Sequence, residues 1–148
     1  MTAALFFAAL SGALVSSVVP FVNAELLLLG LALTAPASAP LLAVVVAVGQ
    51  MLGKSALFLG GSRLSHAGIA KRLPRWCVFD RGPRSGALVG VSALVGLPPF
   101  YALSIAAPAL GVRFSTFVVM GLAGRLLRFG AVVLLPELFT RVARLGGA

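Results

Sequence analysis

The chain has 148 residues, of which 60% are hydrophobic and only 10% are charged. Because a soluble domain normally carries about a quarter charged residues, this composition excludes an ordinary soluble domain and predicts a single-domain integral membrane protein. The net charge is +9, and the cations concentrate between residues 63 and 84, which indicates a cytoplasmic loop of a membrane protein rather than a nucleic-acid-binding surface.

Residues 3–33 are apolar almost throughout, yet they contain Pro20 and Glu25. A proline removes a helical hydrogen bond, and a carboxylate is costly in lipid, so both need a structural reason. The part after the break, residues 24–33, would be a helix of about 15 Å, which cannot cross a hydrocarbon core of roughly 30 Å. We therefore predict that residues 3–33 form a re-entrant helical hairpin bent at Pro20.

Residues 41–59 have the length of a full transmembrane span and close the first repeat, residues 3–60. Lys54 lies towards the predicted cytoplasmic end of this span, where its long side chain is expected to snorkel to the interface. Residues 61–84 form the predicted basic cytoplasmic loop. The loop holds His66 and Cys77, the only histidine and the only cysteine of the chain, so no metal site and no internal disulfide are predicted.

The second repeat, residues 85–135, follows the same order of elements as the first. A hairpin over residues 85–110 breaks at Pro98 and Pro99, and a span follows at residues 114–135. Because each repeat would cross the membrane once, the second is inverted relative to the first. The predicted fold is thus an all-α integral membrane protein with two re-entrant hairpins and two long transmembrane helices in an inverted repeat. The glycines expected to let helices pack closely are Gly49, Gly53, Gly121 and Gly124.

The order of these segments resembles the DedA/VTT (SNARE-associated Golgi protein-like) superfamily, and most closely its small YqaA-like branch. The resemblance rests on Pro20 followed by Glu25, on the glycine pair of the first span, and on GRLLRF at residues 124–129, where that branch has Gly-Lys-x-x-Arg-Tyr. Many relatives carry an acid or an arginine beside the prolines of the second hairpin, whereas residues 98–101 carry neither.

The resemblance implies a multi-pass protein of the bacterial cytoplasmic (inner) membrane that moves lipids between leaflets as a flippase or scramblase. The expected substrates are phosphate-bearing lipids, either a polyprenyl phosphate or a phospholipid, and transport coupled to protons or cations is one mode. No enzymatic activity and no cofactor are expected, because the only histidine lies in the loop and not at membrane depth. The small cavity that 148 residues can enclose favours a homo-oligomer.

Five polar residues are the candidates for substrate binding and coupling. Arg125 and Arg128 lie three residues apart and share a helix face, where guanidinium groups can bind a phosphate in a bidentate manner. Glu25 is either their protonatable counter-ion or a carboxylate that stabilises the start of the second arm's helix. The alternative for the arginines is structural: Arg125 pairs with Glu25, and Arg128 snorkels. Lys54 occupies the equivalent place in the first repeat, and Asn23 lines the cavity or, as we favour, satisfies backbone groups at the break.

Three other functions use the same features. A small-molecule or drug exporter would use the same cavity but would not expose lipid at the outer leaflet. A lipid phosphatase or transferase would need a nucleophile and a base at membrane depth. A non-transporting assembly factor would need the arginines only for folding.

Overall fold

The structure is a computed structural model that describes residues 2–19, 23–66, 83–96 and 99–146. All regular secondary structure in these ranges is helical, which confirms the all-α prediction. The helices are α1 (Ala3–Val18), α2 (Ala24–Thr34), a 3-10 turn (Pro36–Ser38), α3 (Ala39–His66), α4 (Pro83–Val95), α5 (Phe100–Ala106) and α6 (Phe114–Gly146). The predicted breaks at Pro20 and Pro98 and most of the predicted basic loop lie outside the described residues.

Two of the described helices, α3 and α6, are long and apolar enough to cross a membrane, judged by length and composition. They are the two helices that the sequence predicts as spans. The other α-helices have 16, 11, 13 and 7 residues, which is fewer than the roughly 20 residues that a transmembrane helix needs.

Helix ends differ from the predicted boundaries at three places. Helix α3 continues to His66, past the expected end of the span at residue 59, and α6 continues through Pro136 to Gly146. Hydropathy reports the solvent around a helix, whereas helix ends depend on backbone hydrogen bonds, so the two need not coincide. The predicted loop at residues 61–84 therefore begins inside α3, and α4 begins at Pro83, a position where proline favours helix initiation.

Helix α5 is shorter than the arm predicted to reach residue 110. It ends at Ala106, and the chain turns over residues 107–111. Pro108 has no backbone N–H and cannot continue the helical ladder, while Gly111 has a φ of 77°, a conformation that glycine adopts readily. The backbone N–H of Gly111 donates to the Pro108 carbonyl, which closes the turn before α6.

The central pair α3 and α6 divides the other helices into two groups. Helix α1 packs on α3, and α4 packs on α6, while α2 contacts α6 and α5 contacts α3. One apolar core joins α1, α2 and α3 with Phe129 and Val133 of α6. The other joins α4 and α5 with Met51 and Phe58 of α3 and with Phe117 of α6. Each short second helix of a pair therefore also contacts the long helix of the other half.

Glycines set the distance between the helices of each half. A Cβ on Gly49 would lie 2.8 Å from the Cβ of Ala13, and a Cβ on Gly53 would overlap the Oγ of Ser17. In the other half, a Cβ on Gly124 would lie 2.6 Å from the carbonyl oxygen of Gly90. Helices α1 and α3, and likewise α4 and α6, therefore approach each other at a distance that only glycine allows at these positions.

We expect Gly53→Ala to lower the free energy of unfolding by about 1–3 kcal/mol, because the added methyl group overpacks the α1–α3 contact. Gly60→Ala is the matched control on the same helix, since a Cβ there meets no atom within 4 Å. Thermal unfolding in detergent measures both variants. Adding Ser17→Gly to Gly53→Ala should restore stability, and a Gly53→Ala protein as stable as the control would contradict this description of the interface.

Candidate functional site

A polar cavity of about 360 Å³ lies where the two halves of the fold meet. It is bounded by the residues that follow the first break, by those on both sides of the second break, and by one face of α6. The lining residues are Asn23, Ala24, Glu25, Gln50, Ser92, Ala93, Gly96, Phe100, Arg125, Arg128 and Phe129. Four of the five residues predicted for binding and coupling, all except Lys54, thus lie in one cavity.

Asn23 forms the N-terminal cap of α2 at the edge of this cavity. Its Oδ1 accepts a hydrogen bond of 2.8 Å from the backbone N–H of Glu25. A helix start leaves four backbone N–H groups without an intrahelical partner, and an asparagine cap satisfies one of them. The backbone role that the sequence favours for Asn23 is therefore present, and the cap also brings the first turn of α2 to the cavity wall.

Glu25 and Arg128 form an ion pair across 103 positions of the chain, in which Nε of Arg128 donates to Oε1 of Glu25. About a third of each side chain remains exposed, 30% for Glu25 and 32% for Arg128. Gly96, with a φ of 85°, leaves the space for the guanidinium, because a Cβ there would lie 2.7 Å from Nη1 of Arg128. The pairing with Arg125 that the structural alternative predicted is wrong, and Arg128 is the residue that contacts the carboxylate.

Arg125 is the most buried charged residue of the cavity, with 6% of its surface exposed. Its guanidinium carbon lies 4.7 Å from the ring centroid of Phe100, a cation–π contact. In the part of the chain that the structure describes, its buried Nε has no hydrogen-bond partner. An unpaired buried donor is costly, and this one belongs to a permanently charged group that faces the cavity.

Lys54 lies apart from the cavity wall and does not snorkel, so that prediction is wrong. Only 5% of the residue is exposed, and Nζ donates a hydrogen bond of 2.6 Å to the carbonyl oxygen of Ser17. Nζ also lies 4.6 Å from the ring centroid of Tyr101. The last carbonyl groups of a helix lack intrahelical donors. Lys54 provides a donor for one of these carbonyl groups at the end of α1, and its contact with Tyr101 links α1 to α5.

Gln50, one turn before Lys54, contacts a side chain near the same end of α1 from the cavity side. Its Nε2 donates a hydrogen bond of 2.7 Å to Oγ of Ser16, and Gln50 itself lines the cavity. Pro99 precedes α5 as its cap residue. The packing glycines lie in helix interfaces: Gly49 and Gly53 face α1, Gly121 faces Met51 and Phe100, and Gly124 faces α4.

Sequence reasoning missed Ser92, Gly96, Phe100 and Phe129 as cavity residues. Gly96 directly precedes the second break, and glycine before a break is a signal of a special backbone conformation. Phe100 directly follows the same break, so its position at an elbow was visible in the sequence, although its contact with Arg125 was not. Ser92 and Phe129 carry no comparable signal, because a serine or a phenylalanine in an apolar helix is most often a packing residue.

The charges of the cavity favour an anion. Two guanidinium groups and one carboxylate line it, which leaves one net positive charge, and the first turn of α2 adds the positive end of a helix dipole. Among the described residues, no group of three or more His, Cys, Asp or Glu side chains is placed to hold a metal ion. The geometry suits a phosphate or carboxylate group that contacts Arg125.

Comparisons with protein-family models, with curated proteins and with solved structures found no match. The resemblance to the DedA/VTT superfamily therefore stays a prediction from the residues. The cavity and the helices around it are therefore the basis of the functional proposal.

Proposed function

We propose that the protein is a multi-pass transporter of the bacterial cytoplasmic membrane, of the DedA/VTT type, that moves a phosphate-bearing lipid between leaflets. The observation that carries this proposal is the buried guanidinium of Arg125 in a polar cavity, where its Nε lacks a partner among the described residues. Charged groups at membrane depth are rare and mark substrate or ion pathways. A phosphate headgroup is an anion that a guanidinium binds well, and a lipid supplies it within the membrane.

The helix lengths support two re-entrant hairpins. At 1.5 Å per residue, the helices α1, α2, α4 and α5 would be about 24, 16, 20 and 10 Å long, all shorter than a hydrocarbon core of roughly 30 Å. The outward surface is apolar, as expected for contact with lipid: Leu26, Leu33 and Leu127 are 69%, 82% and 65% exposed. Each pair α1–α2 and α4–α5 thus suits a hairpin that enters the membrane and returns.

The contacts between the halves support the inverted repeat. In each half, a cation of the long helix contacts the second short helix of the other half: Lys54 of α3 lies at Tyr101 of α5, and Arg128 of α6 pairs with Glu25 of α2. Such reciprocal contacts are expected when two repeats are related by an axis in the membrane plane, with broken helices meeting near the midplane.

The proposed cycle uses the competition between Glu25 and the lipid phosphate for cations. The phosphate enters the cavity and contacts Arg125 while the hydrocarbon tails stay in the lipid. Protonation of Glu25 releases Arg128 as a second contact, and ionisation of Glu25 recaptures Arg128 and weakens phosphate binding. A proton gradient can therefore drive release. Glu25→Gln, which cannot ionise, should remove the response of the translocation rate to an imposed proton gradient.

Reconstitution tests the proposal directly. Proteoliposomes that contain a fluorescent phospholipid should expose the probe of the inner leaflet to an external quencher, whereas protein-free liposomes keep it protected. Mass spectrometry of lipids that co-purify with the protein should find phosphate-bearing species. Quenching that stops at the outer leaflet in proteoliposomes, for both phospholipid and polyprenyl phosphate probes, would contradict lipid transport.

A further inference from the structure

A second, apolar groove lies beside the polar cavity, between α2 and α6. It has a volume of about 180 Å³, and the described residues that line it are all apolar. They are Leu29, Ala32, Leu33, Pro36, Ala39, Val132 and Val133. The proposed transport cycle does not use this groove.

The groove continues the polar cavity along the same two helices. On α2, Leu29 follows Glu25 by one helical turn, and on α6, Val132 follows Arg128 by one turn, which is about 6 Å of helix rise in each case. Because residue numbers increase in the same direction on both helices, the line of contact between α2 and α6 leads from the ion pair into the apolar groove. One end of this line of contact thus offers cations, and the described residues at the other end offer hydrocarbon.

We propose that the groove binds a hydrocarbon chain of the same lipid whose phosphate contacts Arg125, an inference that rests on the proposed transport function. The ligand class is an amphiphile with a phosphate group and at least one long chain. A free inorganic phosphate would need only the cavity, whereas the pairing of an anion site with an adjoining apolar groove matches the two ends of a phosphate-bearing lipid. The chain leaves the cavity between Phe129 and Leu29 and lies along α2 towards Pro36.

The groove lies in the leaflet that holds the turn between α2 and α3, while Arg125 lies near the middle of the apolar stretch of α6, Phe114–Leu135. A lipid bound in this way has its phosphate near the midplane and its chain in that leaflet. This is the orientation of a lipid of the opposite leaflet, displaced towards the midplane. The site would thus hold a lipid in the orientation of the leaflet opposite the groove, with its phosphate displaced from that interface.

Photo-crosslinking tests the groove. The purified protein in a maltoside detergent, which carries no phosphate, is treated with an alkyl phosphate that bears a diazirine on its chain, and with the corresponding alkyl alcohol. We expect the phosphate probe to label Leu29–Leu33 and Val132–Val133 on the order of tenfold more than the alcohol probe, the effect of one charge-assisted contact at the headgroup. Inorganic phosphate should compete with this labelling.

Two variants of α6 make the test specific. Val132→Phe fills the groove and should lower labelling by the phosphate probe to the level of the alcohol probe. Leu127→Phe, a similar change at a position 65% exposed on the same helix, should label like the wild type. Equal labelling of the groove by both probes, or equal labelling of the two variants, would overturn the inference. If labelling gives one of these results but the wild type translocates lipid in liposomes, the proposed function survives and only the groove assignment is wrong. If the wild type does not translocate lipid, both proposals are wrong.

Discussion

Replacing Arg125 by glutamine should reduce the rate of lipid translocation in proteoliposomes by about two orders of magnitude, the effect of removing one member of a desolvated charge pair. In the proposed cycle Arg125 is the cation available to the phosphate, because Glu25 forms its ion pair with Arg128. Loss of Arg125 leaves the phosphate only Arg128, which is already paired with Glu25. Arg125→Lys should recover only part of the rate, because an ammonium lacks the planar, bidentate geometry of a guanidinium. The initial rate of probe quenching measures all three proteins.

Arg113→Gln is the matched control for this experiment. Arg113 precedes α6, is exposed, and does not line the cavity, so its removal should leave the rate unchanged.

Stability provides a second readout. Because Nε of Arg125 is buried and has no partner in the described part of the chain, the Arg125→Gln protein should unfold at the same temperature as the wild type or higher. An assembly factor that needs Arg125 for folding would give the opposite result: a less stable protein with no transport to lose. Translocation by Arg125→Gln at the wild-type rate would contradict the proposed function.

The second large effect is expected at the ion pair between Glu25 and Arg128. Glu25→Gln and Arg128→Gln should each destabilise the protein, since each leaves a charge without its partner at the centre of the fold. The double variant should lose less stability than the sum of the two single variants, with a coupling energy of about 1–3 kcal/mol, as found for residues in direct contact. The partial exposure of both side chains, near a third, argues for the lower part of this range.

Unfolding of the four proteins in the same detergent completes this double-mutant cycle. Asn23→Ala, made in both the wild type and the Arg128→Gln background, is a useful reference, because it removes the cap of α2 without touching Arg128. Its cost of about 1 kcal/mol should be the same whether or not Arg128 carries the Gln substitution. If the effects of Glu25→Gln and Arg128→Gln add to within about 0.5 kcal/mol, the pair makes no specific contribution to the fold.

A drug exporter and a lipid transporter predict different results for the same variants. A drug exporter should confer resistance on expression while the lipid probe stays in its leaflet. It should also tolerate Val132→Phe, because a small polar substrate does not need the apolar groove. A lipid transporter should respond to Arg125→Gln, and a lipid transporter whose groove binds the lipid chain should also respond to Val132→Phe. The combination of these two variants therefore separates headgroup recognition from chain recognition.

Properties of single segments were predictable from the sequence. An apolar composition and two stretches of span length define an all-helical protein with two candidate membrane spans, since hydropathy and length are local quantities. Asn23 was recognisable as a backbone partner at the break for the same reason: a cap acts within two or three residues of its own position. The glycines of α3 and α6 were recognisable as packing residues because small residues three or four positions apart share one helix face.

Only the tertiary structure decided which polar groups meet. Arg128 rather than Arg125 contacts Glu25, and Lys54 turns inward to the end of α1 rather than outward to the interface. These choices depend on the rotation and relative height of helices that are far apart in the chain, and neither periodicity nor spacing encodes those quantities. The same holds for the guanidinium of Arg125 beside Phe100, whose Nε is unpaired within the residues that the structure describes. Local chemistry therefore determines where each helix begins and which of its residues are polar, and packing determines which of those residues form the site.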